Sequence, residues 1–210
     1  MYESFENLPE EKKKRILDAC MSEFADNGYE GASTNEIVKK AGISKGILFH
    51  YFGNKKNLYL YLLDKTIDYT IKKFYSYDEN APDDLFERIL FDGMIKLKIS
   101  YEEPAIYKLI YKTFINTPDD LKGEVAMRYK RIYESSVPAF LEGLDLSKIR
   151  SGIDPKKAVD VVLLFMEALM NRYTEAYKNV PAEQAFAFAD KLMDDSKDYI
   201  DILKKGIYGL

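Results

Sequence analysis

Apolar residues along this chain recur every three to four positions, and strict alternation nowhere lasts beyond a few residues. That periodicity restricts the chain to helices. Helix punctuation separates the periodic runs. Pro9 opens a first helix with an apolar face of Ile16, Leu17, Cys20, Met21 and Phe24, which Gly28 is expected to close. Ser33-Thr34-Asn35-Glu36 reads as a capping box, the Ser33 hydroxyl and Glu36 carboxylate each satisfying orphan N–H groups. The second helix follows through Ile37, Val38 and Ala41 until Gly42-Ile43-Ser44 breaks it. Ser44 then caps a short third helix, Lys45 to Phe52, and Gly53-Asn54 introduces a long fourth through Leu58, Leu62, Leu63 and Ile67 towards Phe74. Further starts fall at Asp83-Asp84, Glu103-Pro104, Thr117-Pro118-Asp119-Asp120, Asp154-Pro155 and Val180-Pro181, with Pro138 expected to kink or end its helix. The predicted fold is all-α: an N-terminal three-helix domain over residues 1–69, joined through the fourth helix to a larger helical domain over 70–210.

Composition narrows the function classes. Hydrophobic residues make up 47% and charged residues 31%, the balance of a soluble globular protein. No run of about 18 apolar residues occurs, so no membrane partner is expected, and the acidic start lacks the order of a signal peptide. A single cysteine, Cys20, allows neither an intramolecular disulfide nor a thiolate metal cluster, and a cytoplasmic location is expected. The net charge of −4 is unevenly spread: from Ala32 to Leu58 lysines 39, 40, 45, 55 and 56 face one acid, Glu36. A local basic face on an acidic body suits phosphate contacts without indiscriminate binding to polyanions; an ordinary solvated surface is the plainer alternative.

The segment Gly28 to Leu58 carries the functional argument. Two short helices joined by a glycine-containing turn behind a supporting helix make a helix-turn-helix. Ile37, Ala41, Ile43, Leu48 and Phe52 are spaced to pack inward against Phe24, leaving Lys45, Gly46, Phe49 and His50 on the outer side of the third helix. A helix with small and polar residues at its N-terminal end can enter a major groove and bring them to base edges.

Gly28-Tyr29, Ser33 to Ile37, the run Ala41-Gly42-Ile43-Ser44-Lys45-Gly46-Ile47-Leu48-Phe49-His50-Tyr51-Phe52, and Asn54-Lys55-Lys56-Asn57-Leu58 together resemble the tetracycline-repressor (TetR/AcrR) family. The resemblance covers about the first third of the chain; the remainder agrees in length and helical character. It implies that Thr34 and Asn35 touch phosphate and sometimes a base, and that Lys45, Gly46 and Ile47 read bases, with Ser44 and His50 beside them. Phe49 stands where the family usually has Tyr, so a phosphate hydrogen bond is lost and apolar contact with a thymine methyl or sugar remains. Tyr51 fills a position often held by His and is expected to offer its hydroxyl to phosphate. Lys55 matches a lysine that clamps backbone phosphate at a helix N-terminus.

Gly42-Ile43-Ser44-Lys45-Gly46 also spells the G-x-S-x-G pattern of a hydrolase nucleophile elbow, but that elbow needs a strand where Glu36 to Ala41 is helical. His50, the only histidine, lies six residues along the same helix as Ser44's cap, about 240° round, and cannot reach it. Either it is a solvent- or DNA-facing ring or it senses pH. One histidine removes Ser-His-Asp catalysis and histidine metal sites, so no cofactor, metal or catalytic residue is assigned.

In the larger domain, Ala158 to Met170 is apolar nearly all round, and Leu163, Met166 and Met170 with Phe188 and Leu192 of the last helix are candidates for a homodimer interface. An ordinary intrachain core is the alternative. Phe91, Met94, Tyr107, Tyr111, Phe114, Met127, Arg128, Phe140 and Glu167 are candidate pocket residues for a small, largely apolar effector. Burial of Glu167 would demand a partner or a proton; Arg128, Arg172 and a ligand stay open as partners. The expected protein is a sequence-specific DNA-binding transcriptional regulator, a repressor released from a palindromic double-stranded operator by its effector. An architectural DNA-binding protein without effector and a helical enzyme are the alternatives.

Overall fold

The computed structural model describes residues 2–77, 81–177, 180 and 184–209, with side chains of residues 185–189 excepted. Ten α-helices and a 3₁₀ turn at Asp119–Leu121 lie among the described residues, with no strand among them. They are α1 (Glu3–Glu6), α2 (Glu10–Gly31), α3 (Thr34–Ala41), α4 (Lys45–Phe52) and α5 (Lys55–Tyr75), then α6 (Leu85–Glu102), α7 (Pro104–Phe114), α8 (Lys122–Leu141), α9 (Pro155–Tyr177) and α10 (Ala185–Tyr208). No helix is long and apolar enough to cross a membrane among these residues.

Helix ends follow the expected capping chemistry with two exceptions. Ser33 accepts from the Glu36 N–H at 3.5 Å and Ser44 from the Ile47 N–H at 3.2 Å, each in extended backbone just before its helix. Asn54 caps α5 through the Asn57 N–H at 2.8 Å; Asp84 caps α6 and Asp154 caps α9. The first exception is the capping box. The Ser33 N–H donates to Glu23 Oε1 of α2 at 3.0 Å, so a carboxylate from a neighbouring helix takes the place expected of Glu36. The second is Gly28. Its φ of 68° breaks the helical path, yet one further turn follows to Gly31, so the glycine kinks α2 instead of closing it.

The chain forms two compact units: residues 1–72 with 103–125, and residues 73–102 with 126–210. The chain crosses between these units three times, and α7 packs along α2 in the first unit. That unit is centred on Ile16, Phe24, Ile37, Leu48, Phe52, Leu58, Tyr59 and Leu109, all at most 1% exposed. Inside it the Thr113 hydroxyl donates to the Leu109 carbonyl, leaving its oxygen to accept from the Tyr59 hydroxyl at 2.6 Å. Cys20 lies in the same interior, where burial pushes its thiol up to about 12.

The second unit packs α10 against α6 and α9. Leu85, Phe86, Val162 and Ile200 form its core, and Phe140 packs against it. Asp84, 1% exposed, ties its ends together, accepting from Lys148 Nζ at 2.9 Å and the Tyr208 hydroxyl at 3.2 Å. Pro138 lies inside α8, which ends three residues later at Leu141.

Candidate DNA-reading surface

Three features build the reading surface from local sequence. Gly42, with φ 63° and ψ 38°, supplies the left-handed residue that ends α3 and turns the chain towards α4. Ile37, Ala41, Leu48 and Phe52 are at most 1% exposed, so the inner sides of α3 and α4 are buried, with α3 packed on α2 and on α4. Ser44 then starts α4 with its hydroxyl engaged as a cap. This packing leaves the N-terminal end of α4 outward: Ser44, Lys45, Gly46, Ile47 and His50 are exposed, and Phe49 is half-buried. Asn35 is exposed and Thr34 half-buried at the start of α3.

Lys45 sits over the Phe49 ring, its ammonium 5.8 Å from the centroid, so ring and cation share one outward face. Gly46 is bare of neighbours: a Cβ built there would meet only Ser44 Oγ, at 3.9 Å. No packing reason inside the chain excludes a side chain at this position. Lys40, near the end of α3, reaches back to Ser22 Oγ at 3.3 Å and Glu23 Oε2 at 3.4 Å.

Two expected phosphate ligands are differently placed. Tyr51 is 9% exposed and its ring packs edge-on against Phe5, so it belongs first to the core, where the helical position facing away from Lys45 puts it. Lys55 donates to the Glu30 carbonyl at 3.0 Å and lies 5.3 Å from the Tyr29 ring centroid. Its ammonium thus satisfies the end of α2, and burial lowers its hold on the proton. Sequence reasoning missed α1, whose Phe5 is fully buried, and the buried carboxylate of Glu23. A lone aromatic in an acidic four-residue helix gives no periodic signal, and Glu23 reads as one more charged surface residue.

The effector and dimer candidates spread over both units. Tyr107, Tyr111 and Phe114 belong to the first unit, with Tyr111 buried, whereas Phe91, Met94, Met127, Arg128, Phe140 and Glu167 belong to the second. Met94 and Met127 are 54% and 65% exposed and do not wall an enclosed cavity. Glu167 is exposed too, so no buried charge has to be balanced there. On α9, Leu163 and Met166 pack against the core, while Val161 and Leu164, on the opposite side, are 51% and 64% exposed. Successive helical residues turn by about 100°, and the all-round apolar run hid which face points out. Met170 is 38% exposed and Leu192 half-buried; Phe188 lies among the residues whose side chains are not described. Among the described residues no group of His, Cys, Asp and Glu is placed to hold a metal.

A short capped helix that presents a lysine, a bare glycine and an isoleucine behind a glycine-containing turn is the arrangement a helix-turn-helix offers to a major groove. Residues 16–62 match the family model of bacterial regulatory proteins, tetR family. Over that segment the chain is similar to the family's DNA-binding part, and the chain is a DNA-binding transcriptional regulator. It is 23% identical over 156 residues to the biofilm operon icaADBC negative transcriptional regulator IcaR of Staphylococcus epidermidis, covering 74% of this chain and 80% of that protein. IcaR of Staphylococcus aureus strain Newman is 24% identical over 158 residues, covering 74% of this chain and 81% of its own. Among solved structures, a TetR family transcriptional regulator from Chloroflexus aurantiacus is 25% identical with a TM-score of 0.57, covering 98% of this chain and 97% of that one. The transcriptional regulator FadR of Bacillus subtilis shares the fold at 17% identity and a TM-score of 0.55, covering 92% of this chain and 98% of its own.

Proposed function

We propose that the protein is a cytoplasmic, homodimeric repressor that holds a palindromic operator and leaves it when a small, largely apolar effector binds. The observation that carries the reading is the outward end of α4, where Lys45, Gly46 and Ile47 are exposed on a helix that Ser44 caps. Lysine donates to guanine O6 and N7, isoleucine meets a thymine methyl, and glycine lets the helix backbone come close between them. Thr34 and Asn35 of α3, with Phe49, His50 and the edge of Tyr51, line the flanks for phosphate and sugar, and Lys55 stiffens the start of α5.

Repression is supported by the IcaR relatives, which are negative transcriptional regulators. An effector is supported by FadR of Bacillus subtilis, whose structure was solved in complex with stearoyl-CoA. Nothing in this reading calls for catalysis. A dimer suits the exposed apolar residues Val161 and Leu164 of α9 and Ile202 of α10, because two recognition helices must meet half-sites about 34–36 Å apart or a multiple of that. The effector weakens operator binding only through its differential affinity for two arrangements of the dimer, and the coupling is reciprocal.

Selection of genomic fragments by the purified chain, followed by affinity measurements over a salt series, tests this. The expected winner is a palindrome bound about a thousandfold or more tightly than unrelated DNA. Equal affinity for all sequences at every salt concentration would overturn the reading.

A further inference from the structure

We propose that the N-terminal arm, Tyr2 to Glu6, is a positioning element for DNA reading: Phe5 wedges under the recognition helix and Glu6 fastens the wedge to α5. The inference rests on the regulator reading and assigns part of its sequence discrimination to residues that touch no DNA. An eight-residue helix such as α4 has little stability of its own, and its placement is set by what its inner face meets. That inner face is Leu48, Tyr51 and Phe52. The Phe5 ring, fully buried, lies 5.7 Å from the Tyr51 ring and 4.8 Å from the Phe52 ring. Tyr2 adds a further ring 5.9 Å from Phe52. Two of the three inner residues of α4 are therefore held from behind by the arm.

The arm is itself fastened to α5. Glu6 Oε1 accepts from the Tyr61 hydroxyl at 2.7 Å and from Lys65 Nζ at 2.9 Å, while Tyr61 packs edge-on against both Phe5 and Tyr2. Lys13 Nζ donates to the Glu6 carbonyl at 3.1 Å, and the Tyr2 hydroxyl reaches the Asn57 carbonyl at 3.4 Å. α2 and α5 thus fix the arm, and the arm fixes α4. Base reading needs donors placed within hydrogen-bond tolerance, whereas phosphate attraction survives small shifts of the helix. Loosening the wedge removes specific affinity first.

The test uses the full chain with Phe5→Ala, Phe5→Leu and Glu6→Ala, each measured on the selected operator and on unrelated duplex over a salt series. Phe5→Ala is expected to lower the ratio of specific to unrelated affinity about tenfold or more, and Glu6→Ala about threefold. Phe5→Leu, which refills most of the volume, keeps most of the ratio. The salt slope on unrelated DNA stays at the wild-type value, since no cation facing phosphate is removed. If Phe5→Ala no longer unfolds cooperatively, Glu6→Ala, at an exposed position, decides the matter. A folded Phe5→Ala or Glu6→Ala chain that keeps the wild-type ratio overturns the proposal, as does an equal loss of specific and unrelated binding. A wild-type chain without any preferred sequence instead refutes the regulator reading itself.

Discussion

Gly46 is the residue at which the demands of folding and of binding part most clearly. Inside a helix, glycine costs up to about 1 kcal/mol relative to alanine, because the unfolded chain loses more freedom there. Its φ is not in the left-handed region, and a Cβ would have only Ser44 Oγ near it, at 3.9 Å. Gly42 and Gly53, with φ of 63° and 77°, have backbone reasons for being glycine; Gly46 has none within the chain. Gly46→Ala should therefore raise the unfolding midpoint, by roughly 0.5–1 kcal/mol of stability, while weakening operator binding. Thermal unfolding and operator titration on one preparation check both halves. A variant that is more stable and binds the operator as well as wild type would remove the glycine from the reading surface.

Between elements, the decisive group is Glu23. From α2 it serves both ends of α3, taking the Ser33 N–H at 3.0 Å and Lys40 Nζ at 3.4 Å, with Asn27 Nδ2 also at 3.0 Å. Burial works against its ionisation, but these donors outweigh it and hold the carboxyl below its ordinary value. A lowered folded-state value means stability that is present above the unfolded value, about 4.3, and is lost as pH falls through the folded one. Glu23→Gln should cost about 1–3 kcal/mol at neutral pH and flatten the acid side of the stability curve. Denaturant unfolding between pH 3 and 7, values spanning the ordinary carboxylate range of about 4, reads this directly; an unchanged acid limb would assign that limb to other carboxylates. The same residue marks where the sequence stops being legible. Ser33, Ser44, Asn54 and Asp154 announce their helices because caps act within three residues, and α3 and α4 begin where those signals stand. Glu23 capping from ten residues away, Phe5 reaching Tyr51 and Phe52, and α7 lying along α2 are partnerships between distant segments, for which local periodicity holds no information. The outward end of α4 was readable for the converse reason, since a short capped helix with one apolar side leaves one face to solvent.

At the scale of the molecule, the charge distribution and the apolar surface make separate demands. A chain with net charge −4 gains little from general attraction to DNA, so one basic helix-turn-helix gives modest affinity and two held at fixed spacing give a great deal more. In the proposed dimer, the outer side of α9 is the surface that pairs. Val161 and Leu164, 51% and 64% exposed, stand with exposed Ala168 on one face, about 160° from the core-facing residues Val159 and Val162 when each step turns about 100°. Exposed aliphatic residues aligned on one helix face are unusual on a monomer and favour a self-complementary pairing about a two-fold axis. Leu164→Glu places a charge on that face without entering the core, so the unfolding of the isolated chain should change by no more than about 0.5 kcal/mol. In a dimer the same substitution brings two carboxylates together across the axis, and sedimentation should shift from dimer to monomer. Operator affinity should fall towards that of a single half-site, because the second recognition helix no longer binds as part of the same molecule. Leu163→Glu is the contrasting variant: its side chain packs against the buried core of that unit, so loss of folding is the expected result there. A Leu164→Glu chain that stays dimeric and binds the operator fully would move the two-fold interface off this face of α9.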